Sequence, residues 1–223
     1  MKKMGKLIVI VGLDGSGKAT QSKLLAEQLC AEGKQCRRIR FPAYESDSSA
    51  LVKMYLAGSF GDKPGDVNAY AASSFYAVDR FASYKQDWGG FYRDGGILVA
   101  DRYTTSNAVH QCSKLPRAEW DAYLDWLFDF EYGKLGIPAP DEVLFLDLPT
   151  AVSQKLMSER YHGDETRKDI HEKDLDYLAR SREAAYYCAE KLGWEKIDCT
   201  CDGALLSIEE IQRKVRQHAS ALL

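Results

Sequence analysis

The sequence has no long apolar run and almost no net charge. Its 223 residues include 30 Lys and Arg against 33 Asp and Glu, which gives a formal net charge of −3 with His neutral. A chain this close to neutral has no overall basic field with which to bind nucleic acid. No segment approaches the ~18 apolar residues of a membrane span, so we expect a soluble protein without a membrane partner. Any polyanion that it binds is expected to be small and held by a few well-placed cations.

The six cysteines do not follow the spacing of a zinc site or of a small disulfide scaffold. Cys199 and Cys201 form a C-x-C pair, and no second pair lies near it. The apolar run at residues 7–11 is short for a signal peptide, and no small-residue cleavage site follows it. We therefore expect reduced thiols in a cytoplasmic protein.

Short β-branched runs alternate with helical patterns along the chain. This alternation is typical of a parallel sheet covered by helices on both faces. We expect an α/β fold that forms a single domain over residues 1–223. Strands are predicted at residues 7–11, 36–41, 97–100, 143–146 and 194–197. Helices are predicted at residues 18–32, 67–88, 119–132 and 175–192, with another beginning near residue 150 and a last one that a capping box opens at Ser207.

The predicted helix at residues 67–88 has two unlike sides. One side is a mainly apolar stripe that includes Tyr70, Phe75 and Val78, as expected of a core face. Tyr76 and Arg80 project from the other side, one turn apart. That second side is either solvated or lines a pocket.

A glycine-rich turn lies between the first predicted strand and the first predicted helix. Residues 12–18, GLDGSGK, fit G-x-x-x-x-G-K in the context that a phosphate-binding P-loop requires. Backbone N–H groups and the helix N-terminus would surround a phosphate chain, and Lys18 would neutralise its terminal phosphates. The predicted ATP-binding residues of this turn are Gly12, Leu13, Asp14, Gly15, Ser16, Gly17, Lys18, Ala19 and Thr20.

The residue after the P-loop lysine departs from the motif. Ala19 stands where a Ser or Thr hydroxyl usually binds Mg²⁺, and Thr20 would point about 100° away on a regular helix. Mg²⁺ would then be held by phosphate oxygens, water and an acidic residue. Asp101, which follows the third apolar strand, is the candidate metal ligand. Acidic residues are also common at strand ends without binding metal.

Four motifs, taken in order, resemble those of the thymidylate kinase family. They are the P-loop, Phe41-Pro42, the segment YAVDR at residues 76–80 and the segment DRYTTSNAVHQ at residues 101–111. Their order and spacing hold from about residue 5 to residue 199. The resemblance implies a P-loop NTPase fold, with a five-stranded parallel sheet, helices on both faces and a short charged lid at about residues 158–173. Dense runs of charge are otherwise commonly solvated loops.

The resemblance also implies roles for the matching residues. Arg80 and Arg102 would bind the phosphate of the acceptor nucleotide, and Asp101 would bind magnesium. Tyr76, where the family usually has Phe, would stack on the thymine ring. Asp14 would approach the acceptor sugar or a metal-bound water. The other acceptor-binding residues would be Phe41, Pro42, Ser106, Asn107, His110 and Gln111.

The lid would supply arginines, because the variable positions of the P-loop contain no basic residue. Arg160 would act in catalysis and Arg167 would bind ATP. The implied catalytic residues are Lys18, Asp14, Arg102 and Arg160. Such kinases are usually homodimers. The apolar stripe at residues 70–92 could serve as the dimer face, but it is equally well explained as a core face.

Several positions depart from the family pattern. Val11 stands where the family usually has Glu, and Ala43-Tyr44 stand where an arginine that touches the acceptor is common. His110 replaces a Tyr that abuts the sugar and helps to exclude a 2′-hydroxyl. Together with Ala19, these departures concern metal handling and substrate choice more than the fold.

The resemblance implies a magnesium-dependent nucleoside monophosphate kinase. It would transfer the γ-phosphoryl group of ATP to dTMP, giving dTDP and ADP. The alternatives are a kinase for another pyrimidine nucleotide or a deoxynucleoside, and a non-catalytic nucleotide-binding protein of the same fold. A deoxynucleoside acceptor would leave Arg80 unexplained, whereas Ala19 favours the non-catalytic alternative.

Overall fold

The computed structural model describes residues 4–160 and 174–223. Five strands form one parallel sheet in the order β2-β3-β1-β4-β5, which confirms the predicted sheet. Because all five strands run the same way, their carboxyl ends lie at one edge. The strands are β1 (Lys6–Gly12), β2 (Cys36–Arg40), β3 (Ile97–Asp101), β4 (Glu142–Asp147) and β5 (Glu195–Asp198).

Helices connect the strands and cover both faces of the sheet. None of the helices in the two described ranges combines the length and the apolar character that crossing a membrane requires. π-Helical turns at Tyr84–Trp88 and Asp129–Lys134 follow α3 and α6, and a short hairpin of β6 (Thr200–Cys201) and β7 (Ala204–Leu205) precedes α9. The helices are α1 (Lys18–Ala31), α2 (Ala50–Leu56), α3 (Ala69–Ser83), α4 (Gly89–Arg93), α5 (Thr104–Cys112), α6 (Trp120–Phe128), α7 (Thr150–Arg160), α8 (Leu175–Leu192) and α9 (Ile208–Leu222).

The central strand β1 is buried on both faces, as its unbroken apolar run predicts. Ile8 and Ile10 pack with α1 and α9 on one face of the sheet. Leu7 and Val9 lie on the opposite face, in the cluster that contains Trp88. Because side chains alternate along a strand, one short run serves two cores.

The apolar stripe predicted on the helix at residues 67–88 is only partly a core face, because Phe75 packs against a buried cluster while other members are exposed. Tyr70 is 39% exposed and Val78 is 49% exposed. The buried side of α3 carries Ala72, Ala77 and Arg80 instead. The regular helix also ends at residue 83, and the π-helical turn that follows it ends at the fully buried Trp88.

The sequence patterns did not indicate α2 or α5. Helix α5 is buried on almost all sides, although most of its residues are polar. A helix of this kind has no apolar stripe against a polar one, so periodicity gives no signal. Its polar side chains belong to the site described below.

The predicted capping box at the start of α9 is confirmed. Ser207 Oγ accepts the Glu210 N–H at 3.2 Å, and Glu210 Oε2 accepts the Ser207 N–H at 2.8 Å. The cap fixes the start of a helix that places Ile211, Val215 and Ala219 in the core.

Replacing Ser207 by Ala is expected to lower the free energy of unfolding by about 1 kcal/mol, because the Glu210 N–H loses its side-chain acceptor. Urea denaturation at pH 7 measures the change. The Ser207→Asp variant keeps an acceptor at this position and should stay close to wild type. Equal losses in both variants would contradict the capping role.

Candidate active site

A cavity of about 320 Å³ opens at the carboxyl edge of the sheet, beside the N-terminus of α1. Ligands of open α/β sheets bind at this edge. The cavity brings together the P-loop, the ends of β2 and β3, and one side of α7. Its wall consists of Asp14, Gly15, Gly17, Lys18, Ala19, Thr20, Arg40, Asp101, Arg102, Leu156 and Met157.

The P-loop requires glycine both for its backbone conformation and for space. Gly15 and Gly17 have φ values of 80° and 85°, which side-chain-bearing residues rarely adopt. A Cβ added at Gly12 would lie 2.5 Å from Ser16 Oγ and 2.9 Å from the Leu146 carbonyl oxygen. The glycines therefore hold a loop whose N–H groups can approach a phosphate chain closely.

Lys18, Asp14 and Arg102 form a charged network in the cavity. Lys18 Nζ donates to the Leu13 carbonyl oxygen at 2.6 Å and lies 3.9 Å from Asp14 Oδ1. Arg102 Nη2 donates to the same Asp14 oxygen. One carboxylate thus holds two cations at the P-loop.

The position of the Arg102 side chain depends on its backbone conformation as well as on its ion pair with Asp14. Its φ of 68° is in the left-handed region, which is uncommon for a residue other than glycine. Burial opposes the charged guanidinium, but Asp14 and Asp101 more than offset this effect and raise the pKa of Arg102 above its usual value. Arg102 is therefore a permanent cation in the wall of the cavity.

Asp101, the predicted magnesium ligand, is held by arginines of β2. Its Oδ2 accepts a hydrogen bond from Arg38 Nη2 at 2.8 Å and lies 3.7 Å from Arg40 Nε. Arg38 Nε also donates to Ser22 Oγ at 2.9 Å. The neighbouring strand therefore supplies counter-charges to this buried carboxylate.

The cavity does not suit a metal ion held by the protein alone. It suits a magnesium ion that enters together with a nucleotide. The described residues contain no cluster of three or more His, Cys, Asp or Glu side chains that could hold a metal. Ala19 offers no side-chain oxygen. Mg²⁺ is commonly held by one or two carboxylates together with substrate phosphates and water, and Asp101 can serve as such a carboxylate.

Arg80, predicted to bind the acceptor phosphate, is buried in an ion pair. Its Nε and Nη2 donate to the two carboxylate oxygens of Glu131 at 2.6 and 2.5 Å. Burial opposes the charge, but Glu131 more than offsets it and raises the pKa of Arg80. Glu131 thus occupies the bidentate geometry in which an arginine grips a phosphate. A contact between Arg80 and an acceptor phosphate stays a prediction. It would use Nη1, because Nε and Nη2 bind Glu131.

Glu131 is a residue that sequence reasoning missed. It lies in the π-helical turn Asp129–Lys134 and is fully buried. Besides the arginine, it accepts hydrogen bonds from Thr104 Oγ1 at 2.9 Å and from Asn107 Nδ2 at 3.5 Å. The available signal was a carboxylate flanked on both sides by aromatic residues.

Helix α5 carries polar side chains that the protein leaves unsatisfied. Within the described residues, Ser106 Oγ and both polar side-chain atoms of Gln111 are buried without a hydrogen-bond partner. Asn107 Nδ2 donates to the Ser73 carbonyl oxygen at 3.2 Å. Tyr76 is half-buried on α3. Because unpaired buried polar groups cost free energy, the α5 groups indicate a ligand that supplies hydrogen bonds.

His110 is buried against Tyr177, a residue of α8 that sequence reasoning also missed. The two rings stack with centroids 6.1 Å apart, and the Tyr177 hydroxyl donates to the His110 carbonyl oxygen at 3.0 Å. Burial lowers the pKa of His110 to about 3, and the nearby cations Arg102 and Lys18 lower it as well. The imidazole is therefore neutral at physiological pH.

The loop after β2 is anchored to α3. The Phe41–Pro42 peptide is cis, and both side chains are buried. Asp79 accepts the Ala43 N–H at 2.8 Å and the Ser48 hydroxyl at 2.7 Å. The acid of the YAVDR segment thus fixes this loop, while the arginine next to it binds Glu131.

The predicted lid lies mostly outside the described residues. Arg167 falls among residues 161–173, which the structure does not describe. Arg160 is the last residue of α7, and its side chain is not described either. The roles of both arginines stay predictions.

The parallel sheet and the glycine-rich phosphate loop at its carboxyl edge define a P-loop nucleotide-binding protein. The Thymidylate kinase family profile matches residues 10–215. Thymidylate kinase from Mycobacterium tuberculosis is 31% identical over 194 residues, which cover 84% of this chain and 87% of that protein. The human thymidylate kinase is 32% identical over 154 residues, which cover 68% and 65% of the two chains. The chain belongs to the thymidylate kinase family.

A solved structure supports the fold. Thymidylate kinase from Candida albicans aligns over 98% of this chain and 92% of its own, with a TM-score of 0.72 and 21% sequence identity. The resemblance inferred from the four motifs is confirmed, and so is the P-loop NTPase fold.

Replacing Glu131 by Gln is expected to lower the free energy of unfolding by about 3–5 kcal/mol, because Arg80 is left as an uncompensated buried charge. Urea denaturation measures the loss. The exposed Glu190→Gln variant is the matched control and should stay within about 0.5 kcal/mol of wild type. Equal stability of the two variants would contradict the role of the ion pair.

Acidification is expected to destabilise the protein through His110. The folded pKa of about 3 lies below the ordinary value of 6.5, so the unfolded state binds more protons between these pH values. The contribution of neutral His110 is present above pH 6.5 and is lost as the pH falls. From pH 7 to pH 5, wild type should lose about 2 kcal/mol more than His110→Gln in urea denaturation. Parallel pH dependences would rule out this contribution.

Proposed function

We propose that the protein transfers the γ-phosphoryl group of ATP to dTMP, giving dTDP and ADP. The observation that carries the proposal is the presence of the P-loop lysine and Arg102 in one cavity, in a chain of the thymidylate kinase family. A triphosphate in the P-loop and an acceptor phosphate beside Arg102 would meet in this cavity.

Phosphoryl transfer needs positioning and positive charge more than covalent chemistry. An oxygen of the dTMP 5′-phosphate attacks the γ-phosphorus in line. The bond from that phosphorus to the β–γ bridging oxygen breaks, and ADP leaves with the electron pair. Lys18 neutralises the terminal phosphates and Arg102 holds the acceptor phosphate. Both stabilise the negative charge that spreads over the moving group.

The pyrimidine is proposed to bind along α5. Thymine presents two carbonyl acceptors and one N–H donor in its plane. The amide of Gln111 and the hydroxyl of Ser106 can both donate and accept, which suits this pattern. Tyr76 would stack on the ring. Glu131 supports the same surface by holding Asn107.

Magnesium is proposed to enter with ATP, held by phosphate oxygens, water and Asp101. When bound, Mg²⁺ would supply charge neutralisation to the phosphates. Arg160 and Arg167 are proposed to approach the nucleotides from the lid.

The exposed side of α3 is proposed to pair with a second copy of the chain. Tyr70 and Val78 are the exposed large apolar residues of this side. On the basis of family membership, we propose a homodimer and a cytoplasmic location.

A coupled assay of ADP release with a panel of nucleotides tests the activity. We expect turnover with dTMP and ATP, and the Lys18→Ala variant should fall by roughly a hundredfold or more because it loses the cation at the transferred phosphate. Thermal unfolding of that variant verifies that it remains folded. Turnover of another acceptor without turnover of dTMP would overturn the substrate assignment, and ATP binding without transfer to any acceptor would favour the non-catalytic alternative.

A further inference from the structure

Arg40 ends β2 at the rim of the P-loop cavity, and no sequence motif pointed to it. Its side chain is 57% exposed. It lines the P-loop cavity together with Lys18, Asp101 and Arg102. It also borders a second cavity of about 610 Å³ beside residues 42–46. Arg40 therefore separates the phosphate-binding loop from the loop after β2.

Strand geometry directs Arg40 to the same face of the sheet as Asp101. The two residues are direct partners in the parallel pairing of β2 with β3. Ile39 packs into the core on the opposite face, and side chains alternate along a strand. Arg40 therefore lies on the face that α1 covers, and Ala19 lies in the first turn of that helix.

Arg40 is less tightly held than the other cations of the cavity. Lys18 and Arg102 each donate a short hydrogen bond, and Arg38 binds Asp101 at 2.8 Å. Arg40 Nε is 3.7 Å from the same carboxylate, and the guanidinium donates no hydrogen bond to any residue among 4–160 and 174–223. Its planar set of N–H donors is thus available to a ligand.

The charges of the cavity favour a phosphate as that ligand. Three cations, Lys18, Arg40 and Arg102, face two carboxylates, Asp14 and Asp101, so the wall has one positive charge in excess. A triphosphate has several negative charges, and the missing hydroxyl at position 19 removes one ligand of its magnesium. A further cation in the same wall would offset part of this loss.

We infer that Arg40 binds the terminal phosphates of ATP, on the side of the P-loop where Ala19 lacks a hydroxyl. The inference rests on the proposed use of ATP as phosphoryl donor. The competing role is purely electrostatic support, in which Arg40 only neutralises Asp101 and touches no nucleotide.

Calorimetric titration of single nucleotides measures binding alone, since no transfer takes place with one nucleotide. ATP and dTMP are titrated separately into wild type, Arg40→Gln and Arg40→Lys, each in EDTA and in excess Mg²⁺. Arg37→Gln is the matched control. Arg37 is another arginine of β2, and it pairs with Asp87 at 2.6 Å. Thermal unfolding verifies that every variant is folded.

Arg40→Gln is expected to weaken ATP binding about tenfold or more in EDTA, which is the loss of one charge-assisted contact. The loss should be smaller in Mg²⁺, and Arg40→Lys should recover part of the affinity. Binding of dTMP should change less than about twofold, and Arg37→Gln should match wild type for both nucleotides.

Unchanged ATP affinity in Arg40→Gln would overturn the inference and leave the proposed function standing. A loss confined to dTMP would also overturn it, because the arginine would then serve the acceptor. Failure of wild type to bind ATP would overturn both the inference and the proposed function.

Discussion

The ion pair between Arg80 and Glu131 joins parts of the molecule that are far apart in the chain. Arg80 belongs to α3, Glu131 to the π-helical turn after α6, and the same carboxylate accepts hydrogen bonds from Thr104 and Asn107 of α5. Burying two charges costs desolvation energy, which is offset only when their hydrogen-bonding groups are well satisfied. Here four donor atoms surround one carboxylate. The helices that carry the proposed pyrimidine site are therefore positioned by a polar contact in the interior as well as by apolar packing.

Ion pairs also position the charged side chains on the phosphate side of the site, where these side chains are more exposed than Arg80 and Glu131. Asp14 holds Lys18 and Arg102, while Asp101 is held by Arg38. Cations that are already fixed when a phosphate arrives need little reorganisation, and partial burial strengthens their effect. A chain with a formal net charge of −3 can therefore present a locally positive cavity.

Local patterns predicted the strands, the P-loop and the capping box at Ser207, because each depends on residues that are close together in the sequence. The contacts of Arg80 and Asp101 could not be predicted in this way. Glu131 meets Arg80 only after α3 and α6 have packed, and Arg38 reaches Asp101 only because β2 pairs with β3. The buried side of α3 was assigned only partly correctly, since alanine and a paired arginine occupy most of it while Tyr70 and Val78 are exposed. Helix α5 gave no periodic signal because it is buried on nearly all sides.

The left-handed backbone of Arg102 places two separate demands on one position. A residue there needs a main chain that tolerates positive φ and a long cationic side chain that reaches Asp14. β-Branched residues are strongly disfavoured in this conformation, so replacement by valine or threonine would disturb the main chain as well as remove the charge. Asparagine tolerates the conformation and removes only the cation. At this position, the choice of replacement decides whether a mutational scan measures backbone strain or electrostatics.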